Sequence, residues 1–318
     1  MALILVTGAN GKIGSRLVAA LLSKGYKVRA VVRPGSKGKL PKAAEKYEHD
    51  LSIAPLPKEA FKGVQRVAHL AGLVGSHSRS ALEAANAVAV NSLLYNCPLS
   101  LQRIVLASSI SVYGEYRGKL VDESFKAMGE SPYGKSKLLG ENEARNFCPR
   151  LPITFLRIAM VYGPGFSEGY STVLRYLTEG KMKIIGNGKN RMPLVYIDDV
   201  VRAFLLALSR PTSPCREYNI CGEEKFTQEQ LLKLASSCLG VPAPTKHITP
   251  AALQALLSFS GILGKKASLD PENIRQLTLD RAYSCKRAEK ELGWKQKVKL
   301  KDGVREMVRI YKGKKAVE

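Results

Sequence analysis

The stretch that most constrains this chain is its first two dozen residues. Ala2-Leu3-Ile4-Leu5-Val6 is a continuous apolar run, followed by Thr7-Gly8-Ala9-Asn10-Gly11-Lys12-Ile13-Gly14. Leu17, Val18, Leu21 and Leu22 then recur at helical spacing. An apolar run without polar alternation suits a strand buried on both faces, as in a parallel sheet. A strand, a glycine-rich turn and a helix make the first half of a dinucleotide-binding βαβ unit. Glycines let backbone approach a pyrophosphate, and the helix start offers free N–H groups and the positive end of its dipole.

Later segments repeat the alternation. Tyr26 to Val32 reads as a second strand, Lys46 to Leu51 as a third, Val64 to Leu70 as a fourth and Arg103 to Ala107 as a fifth. Ile153 to Ala159 is a sixth and Tyr218-Asn219-Ile220 a seventh. Helical patterns fall at 81–96, after Ser131-Pro132, at 171–180, at 200–208 and at 227–239, the last with Thr227 and Gln230 spaced as a capping box. Strands alternating with helices predict an α/β fold, a doubly wound Rossmann sheet of about seven parallel strands. The expected organisation is a dinucleotide-binding domain at 1–163 and 194–222, with a smaller, mostly helical substrate domain at 164–193 and 223–318.

At the end of the second strand, dinucleotide folds that prefer NAD place an acid on the ribose 2′-OH. Here the positions are Val32 and Arg33, with Arg29 and Lys37 nearby. A guanidinium suits a 2′-phosphate, so NADP is expected, with NAD as the alternative.

Composition bounds the rest. Lys and Arg number 50 against 27 Asp and Glu, a net charge of +23, which invites anionic partners. The basic residues are spread along the chain, so no nucleic-acid partner is expected. Their local concentration is Lys295, Lys297, Lys299 and Lys301, which at strand spacing predicts a one-sided positive edge. The stretch from Ala251 to Leu263 is too short to span a bilayer. Six cysteines without a CxxC pair read as reduced thiols of a cytoplasmic protein, and four scattered histidines give no metal-ligand spacing.

Several further segments carry a family resemblance: His69-Leu70-Ala71, Ser108 to Gly114, Tyr133-x-x-x-Lys137, and Leu156-Arg157 with Val161-Tyr162-Gly163-Pro164-Gly165. Val195 to Val200 and Leu292-Gly293-Trp294 complete the series. In this order, together with the glycine turn, they resemble the extended short-chain dehydrogenase/reductases, the NAD-dependent epimerase/dehydratase family. The resemblance implies catalysis by Ser109, Tyr133 and Lys137. Tyr133 would be the general acid/base, Lys137 would favour the phenolate and hold the cofactor ribose, and Ser109 would hydrogen-bond the substrate oxygen. It also implies cofactor contacts from Gly8, Asn10, Gly11, Lys12, Ile13 and Gly14, from Arg33, and from Asp50 and Leu51. Leu70, Ala71 and Gly72, with Tyr133 and Lys137, complete those contacts, and a homodimer through the helices at 81–96 and 133–146 is expected.

Departures from the family narrow the reading. Its 4,6-dehydratases carry Asp-Glu where this chain has Ile110 and Ser111, which excludes that chemistry. Met160 replaces an asparagine usual in nucleotide-sugar epimerases, and Arg191 only roughly matches their arginine ahead of the Val-Asp-Asp-like strand. The stretch Val28 to Arg33 is similar to dihydroflavonol-reductase-like and hydroxysteroid-dehydrogenase-like enzymes. The expectation is an oxidoreductase moving hydride between nicotinamide and a secondary alcohol or ketone of a small molecule. A sugar-nucleotide epimerase with tightly held NAD is the alternative. A non-catalytic, nucleic-acid-binding or redox-sensing Rossmann protein is the second.

Overall fold

The computed structural model describes residues 1–75, 77–116, 118–222, 226–255 and 277–315. The chain starts with β1 (Leu3–Thr7), α1 (Lys12–Ser23), β2 (Lys27–Val32), β3 (Glu45–Glu48) and β4 (Val64–His69). Helix α2 follows as Arg79–Glu83 and Ala89–Leu94, joined by a π turn at Ala84–Val88. Next come β5 (Arg103–Ser109), β6 (Leu120–Val121), α3 (Pro132–Arg145), β7 (Ile153–Ile158), β8 (Met160–Tyr162) and α4 (Ser167–Thr178). Then follow β9 (Ile184–Ile185), β10 (Leu194–Tyr196), α5 (Ile197–Ser209), β11 (Arg216–Ile220) and α6 (Gln228–Leu239). The last described elements are β12 (His247–Ile248), β13 (Ala282–Tyr283) and α7 (Leu300–Lys315).

Seven strands form one parallel sheet in the order β11-β7-β5-β4-β1-β2-β3. Sequence order reverses between β1 and β4, and ligands of such sheets bind at that switch, beyond the carboxyl ends of the strands. Strand β1 is central because Ile4, Leu5 and Val6 are fully buried, with neighbours on both sides. Helix α1 covers one face through Leu17, Val18 and Leu21, all fully buried. Each such side chain contributes about 1.5–3 kcal/mol. The helix stops where Gly25 takes φ +83°, a left-handed value natural to glycine.

One hydrophobic cluster lies on each face of the sheet. A third joins Tyr162, Leu174, Ile184, Leu232, Val304 and Tyr311, residues 149 positions apart at the extremes. Three short parallel pairs, β8–β10, β9–β12 and β6–β13, tie this part to the sheet; such two- or three-residue ladders leave no periodic signal. The capping box on α6 forms as expected, with Thr227 Oγ1 accepting from Gln230 N–H and Gln230 Oε1 accepting from Thr227 N–H. No described helix is long and apolar enough to cross a membrane. Residues 256–263 of the apolar stretch lie outside the described residues.

Two expectations need correction. Cys148, just beyond α3, and Cys215, just before β11, are joined in a disulfide with Cα atoms 5.7 Å apart. The sequence separation of 67 hides that closeness, which comes from β7 carrying the chain back beside β11. Six reduced thiols is therefore wrong for this pair. The lysine alternation at 295–301 is not a sheet edge: its amides at Lys297 and Val298 donate to the Asp199 carboxylate instead of to a strand.

Candidate active site

The cleft opens at the switch point. Thr7, Gly8, Asn10 and Gly11 line it from the glycine turn, and Arg33, Asp50 and Leu51 from the loops after β2 and β3. Leu70, Ala71 and Gly72 line it from beyond β4. Two glycines are obligatory here. Gly8 has φ +62°, and a Cβ on it would stand 2.6 Å from Ala71 N. A Cβ on Gly14 would drive into the Gly8 carbonyl, so Gly14 lets α1 descend onto the turn and contributes packing rather than lining. Gly11 is the N-cap of α1 and supplies no side-chain acceptor, which leaves the first-turn N–H groups for an anion. This backbone cradle fits a dinucleotide pyrophosphate. Lys12 and Ile13 are not in the cleft wall: the Lys12 ammonium lies 5.3 Å over the Phe166 ring, and Ile13 packs on the core.

Around the far end of the cleft, Arg33 is exposed on the wall. Arg29, in contrast, is committed elsewhere: its guanidinium donates to Glu45 and to the Ala60 and Lys62 carbonyls. Asp50 accepts from the Ser52 hydroxyl at 2.6 Å and the Ser52 amide at 2.9 Å, and these bonds hold its carboxyl below the usual range.

Strand β5 delivers Ser109 at its carboxyl end, and α3 delivers Tyr133 and Lys137. Ser131 starts α3 by accepting from Gly134 N–H at 2.9 Å, and Pro132 occupies the first turn, where its missing N–H costs nothing. A Cβ on Gly134 would run into the Ser111 carbonyl, so glycine there lets α3 press on the turn after β5. Ser109 is thereby brought near enough to Tyr133 to favour its phenolate. The Lys137 ammonium, one helical turn on, donates to the Ala107 carbonyl at 2.6 Å.

Burial raises the Tyr133 phenol above its ordinary value, with Ser109 opposing. In the net direction burial outweighs the serine. Burial likewise pulls Lys137 down to about 8, against the Glu141 carboxylate, which holds it up. His69 is buried, its imidazole pushed to about 3 by desolvation and by Lys137, so it is neutral. It pairs with the Thr7 hydroxyl at 2.7 Å.

Beneath the site lies a network the sequence reading left without roles. Glu141 receives two bonds from Arg157, at 3.0 and 2.7 Å, and one from Ser108 at 2.6 Å. Arg157 also donates to the Tyr113 hydroxyl, which donates to Asn219. Asn86, buried in the π turn of α2, bonds Leu73 N and O and donates to Ser136 Oγ. It links the loop lining the cleft to the helix carrying Tyr133. The available signals were a lone asparagine within Ala84-Ala85-Asn86-Ala87 and an arginine within the apolar strand Ile153 to Ile158.

A second small cavity adjoins Ser109, lined by Ser111, Glu115, Glu130, Ser131, Arg281 and Tyr283 among others. Ser111 Oγ is 3.2 Å from Ser109 Oγ. Ile110 points into the core, 3 % exposed, and Met160 packs on the third cluster. Arg191 is locked by Asp280, donating from Nε and Nη2 to the two carboxylate oxygens at 2.8 and 2.7 Å and from its backbone amide at 2.8 Å. Among the described residues no group of three or more His, Cys, Asp or Glu is placed to hold a metal ion.

Comparisons with known proteins agree with this geometry. The profile of the NAD dependent epimerase/dehydratase family matches residues 4–221. A Bacillus subtilis protein described as an uncharacterized UDP-glucose epimerase is 30 % identical over 77 % of this chain and 84 % of its own. A putative dihydroflavonol 4-reductase of Synechocystis is 27 % identical over 92 % and 89 %. Among solved structures, MoeE5 in complex with UDP-glucose and NAD superposes with a TM-score of 0.77, at 25 % identity over 98 % of this chain and 99 % of that one.

Proposed function

The chain belongs to the NAD dependent epimerase/dehydratase family, and on that premise we propose that it is an NADP-preferring oxidoreductase interconverting a secondary alcohol and a ketone of a small organic substrate. The observation that carries the proposal is the convergence of Ser109, at the carboxyl end of β5, with Tyr133 and Lys137 of α3, whose Lys137 ammonium is fixed to the Ala107 carbonyl of that same strand.

The nicotinamide, when bound, supplies or accepts the hydride. The chain's own residues manage the oxygen and its proton. Ser109 and Tyr133 donate to the substrate carbonyl oxygen, where negative charge grows as the carbon is reduced. Tyr133 then yields its proton to that oxygen. Burial keeps the phenol protonated at neutral pH, which suits an acid in the direction of reduction. Lys137 stabilises the phenolate left behind and is positioned to hold the cofactor ribose, while Glu141 keeps the buried amine charged. Gly8, Gly11 and the start of α1 would hold the pyrophosphate, Asp50 and Leu51 the adenine side, and Arg33 a 2′-phosphate.

Residues 164–193 and 223–318 would shape the substrate pocket, with Arg281 and Tyr283 at its wall. The Arg191–Asp280 pair supports the reductase reading, because a guanidinium already neutralised by a carboxylate is poorly suited to grip a diphosphate. For assembly we infer a homodimer through α2 and α3, whose surfaces expose Val88, Leu139 and, just beyond α2, Tyr95.

A screen of ketones, alcohols and nucleotide sugars against the purified protein, following nicotinamide absorbance and product stereochemistry, tests the reading. Net consumption of reduced cofactor with a ketone is expected. Inversion of a sugar carbon with no net change in cofactor would instead establish the epimerase reading, which the names of some relatives carry.

A further inference from the structure

Beyond Arg33 and Lys137, the proposed site makes no use of the chain's surplus positive charge. That surplus has one ordered concentration. Lys295, Lys297, Lys299 and Lys301 are all exposed, whereas Gln296 and Val298 between them are half-buried and Leu300 is buried. The strip is fixed in place. Lys297 and Val298 amides donate to the buried Asp199 carboxylate at 2.9 and 3.1 Å, and the fully buried Trp294 indole donates to the Asp199 carbonyl at 2.9 Å. Helix α7 continues the row: Arg305 and Arg309 are exposed while Val304, Met307, Val308 and Tyr311 pack inward. The nearby acids are engaged elsewhere, with Asp302 3.5 Å from Arg305, and Glu306 4.0 Å from Arg309 and accepting from the Tyr196 hydroxyl. Among the described residues no ion pair engages the four lysines.

Asp199 stands in the first turn of α5, and its neighbour Asp198 pairs with Arg16 of α1. Both helices begin at the sheet edge where the parallel strands end, the edge that carries the glycine turn and Ser109. The lysine strip is therefore attached to the side of the molecule on which the cleft opens.

We propose that this strip is a docking surface for a bilayer bearing anionic headgroups, and that it turns the cleft-bearing edge of the protein toward the membrane. A run of exposed lysines with no ion pair among the described residues matches a negatively charged surface, and lysine needs no bidentate geometry to act as a point charge. A single-stranded nucleic acid fits less well, because the aromatic residues of the segment, Trp294 and Tyr311, are buried and no ring is offered for base stacking. The attachment is peripheral, reversible and weakened by salt.

The test is co-sedimentation of the full chain with phosphatidylcholine vesicles, with and without phosphatidylglycerol. The unmodified protein should bind only the vesicles containing phosphatidylglycerol and release in high salt. Changing Lys295, Lys297, Lys299 and Lys301 together to Gln should lower the partition by roughly several hundredfold, since each basic residue near an anionic surface is worth about a fivefold factor. A control removes the same charge elsewhere, with Lys24, Lys27, Lys58 and Lys62, all exposed, changed to Gln; it should retain most of the binding. Circular dichroism melts check that both variants fold. Absence of vesicle binding, equal loss in both variants, or tight binding to DNA or RNA without binding to vesicles would each overturn the proposal.

Discussion

The two ends of the proposed site, the cleft and the small cavity beyond Ser109, are built by different means. At the cofactor end, backbone does the work: Gly8 and Gly14 remove Cβ atoms that would collide with Ala71 N and Gly8 O, and the start of α1 presents its own amides. At the proposed substrate end, side chains from distant segments do it: Ser111, Glu130, Arg281 and Tyr283 meet across 172 positions of sequence. Backbone recognition of this kind tolerates almost no substitution. Side-chain recognition can be exchanged piece by piece, which is why one family holds both reductases and epimerases.

The reacting centre joins the two ends, and the largest effect is expected there. Tyr133→Phe should cut turnover by about two to four orders of magnitude with little change in melting temperature or cofactor affinity. Steady-state kinetics beside calorimetric cofactor titration checks this. Ser109→Ala should lower turnover with cofactor affinity intact.

Next in size is Gly14→Ala, which tests the claim that the cofactor end is a backbone structure. The added methyl cannot be accommodated without moving α1 off the turn, so a loss of about 1–3 kcal/mol in stability and a marked loss of dinucleotide binding are expected. Chemical denaturation and titration read both. A variant that binds cofactor normally would break the contrast between the two ends.

Lys137 belongs to both ends, and its effect is read by pH. Burial holds its amine near 8, below its ordinary 10.5. Between those values the unfolded chain carries the proton and the folded one does not, so stability contributed through this group rises with pH over that interval. Lys137→Met should flatten the rise and weaken both cofactor binding and turnover. Denaturation midpoints at several pH values decide the matter.

Smaller effects follow at the periphery. NADP(H) should bind more tightly than NAD(H), and Arg33→Asp should reverse the preference; equal or tighter NAD(H) binding by the unmodified protein would remove the basis for it. Asp280→Asn should cost about 1 kcal/mol or less, since the pair with Arg191 is a third exposed. The Asp280 carboxyl is lowered by Arg191, so the difference should be present above the ordinary carboxylate range and vanish as pH falls through the folded value.

The same contrast explains what could be read in advance. The parallel sheet was legible because its central strand is an unbroken apolar run followed by a glycine turn, which reports backbone demands directly, and because strand-like and helical segments then alternate. Tyr133 and Lys137 were legible as a pair because helical spacing is local. Arg29 and Arg33 look equivalent in sequence, yet a strand turns one toward Glu45 and leaves the other at the cleft. The disulfide, the Asn86 clasp and the Arg191–Asp280 pair depend on residues brought together from 67, 50 and 89 positions apart, and no periodicity encodes such distances. The lysine strip was visible as a pattern, but its anchor is a single aspartate nearly a hundred residues away.

The most direct test follows the hydride itself. The protein is incubated with a ketone substrate and reduced nicotinamide cofactor carrying deuterium on its transferable position, and the label is traced by mass spectrometry. The account predicts deuterium on the new carbinol carbon, one label per cofactor oxidised, with the rate collapsing in Tyr133→Phe while cofactor affinity holds. Label that stays with the cofactor through repeated turnover, or transfer that survives in Tyr133→Phe, would contradict it.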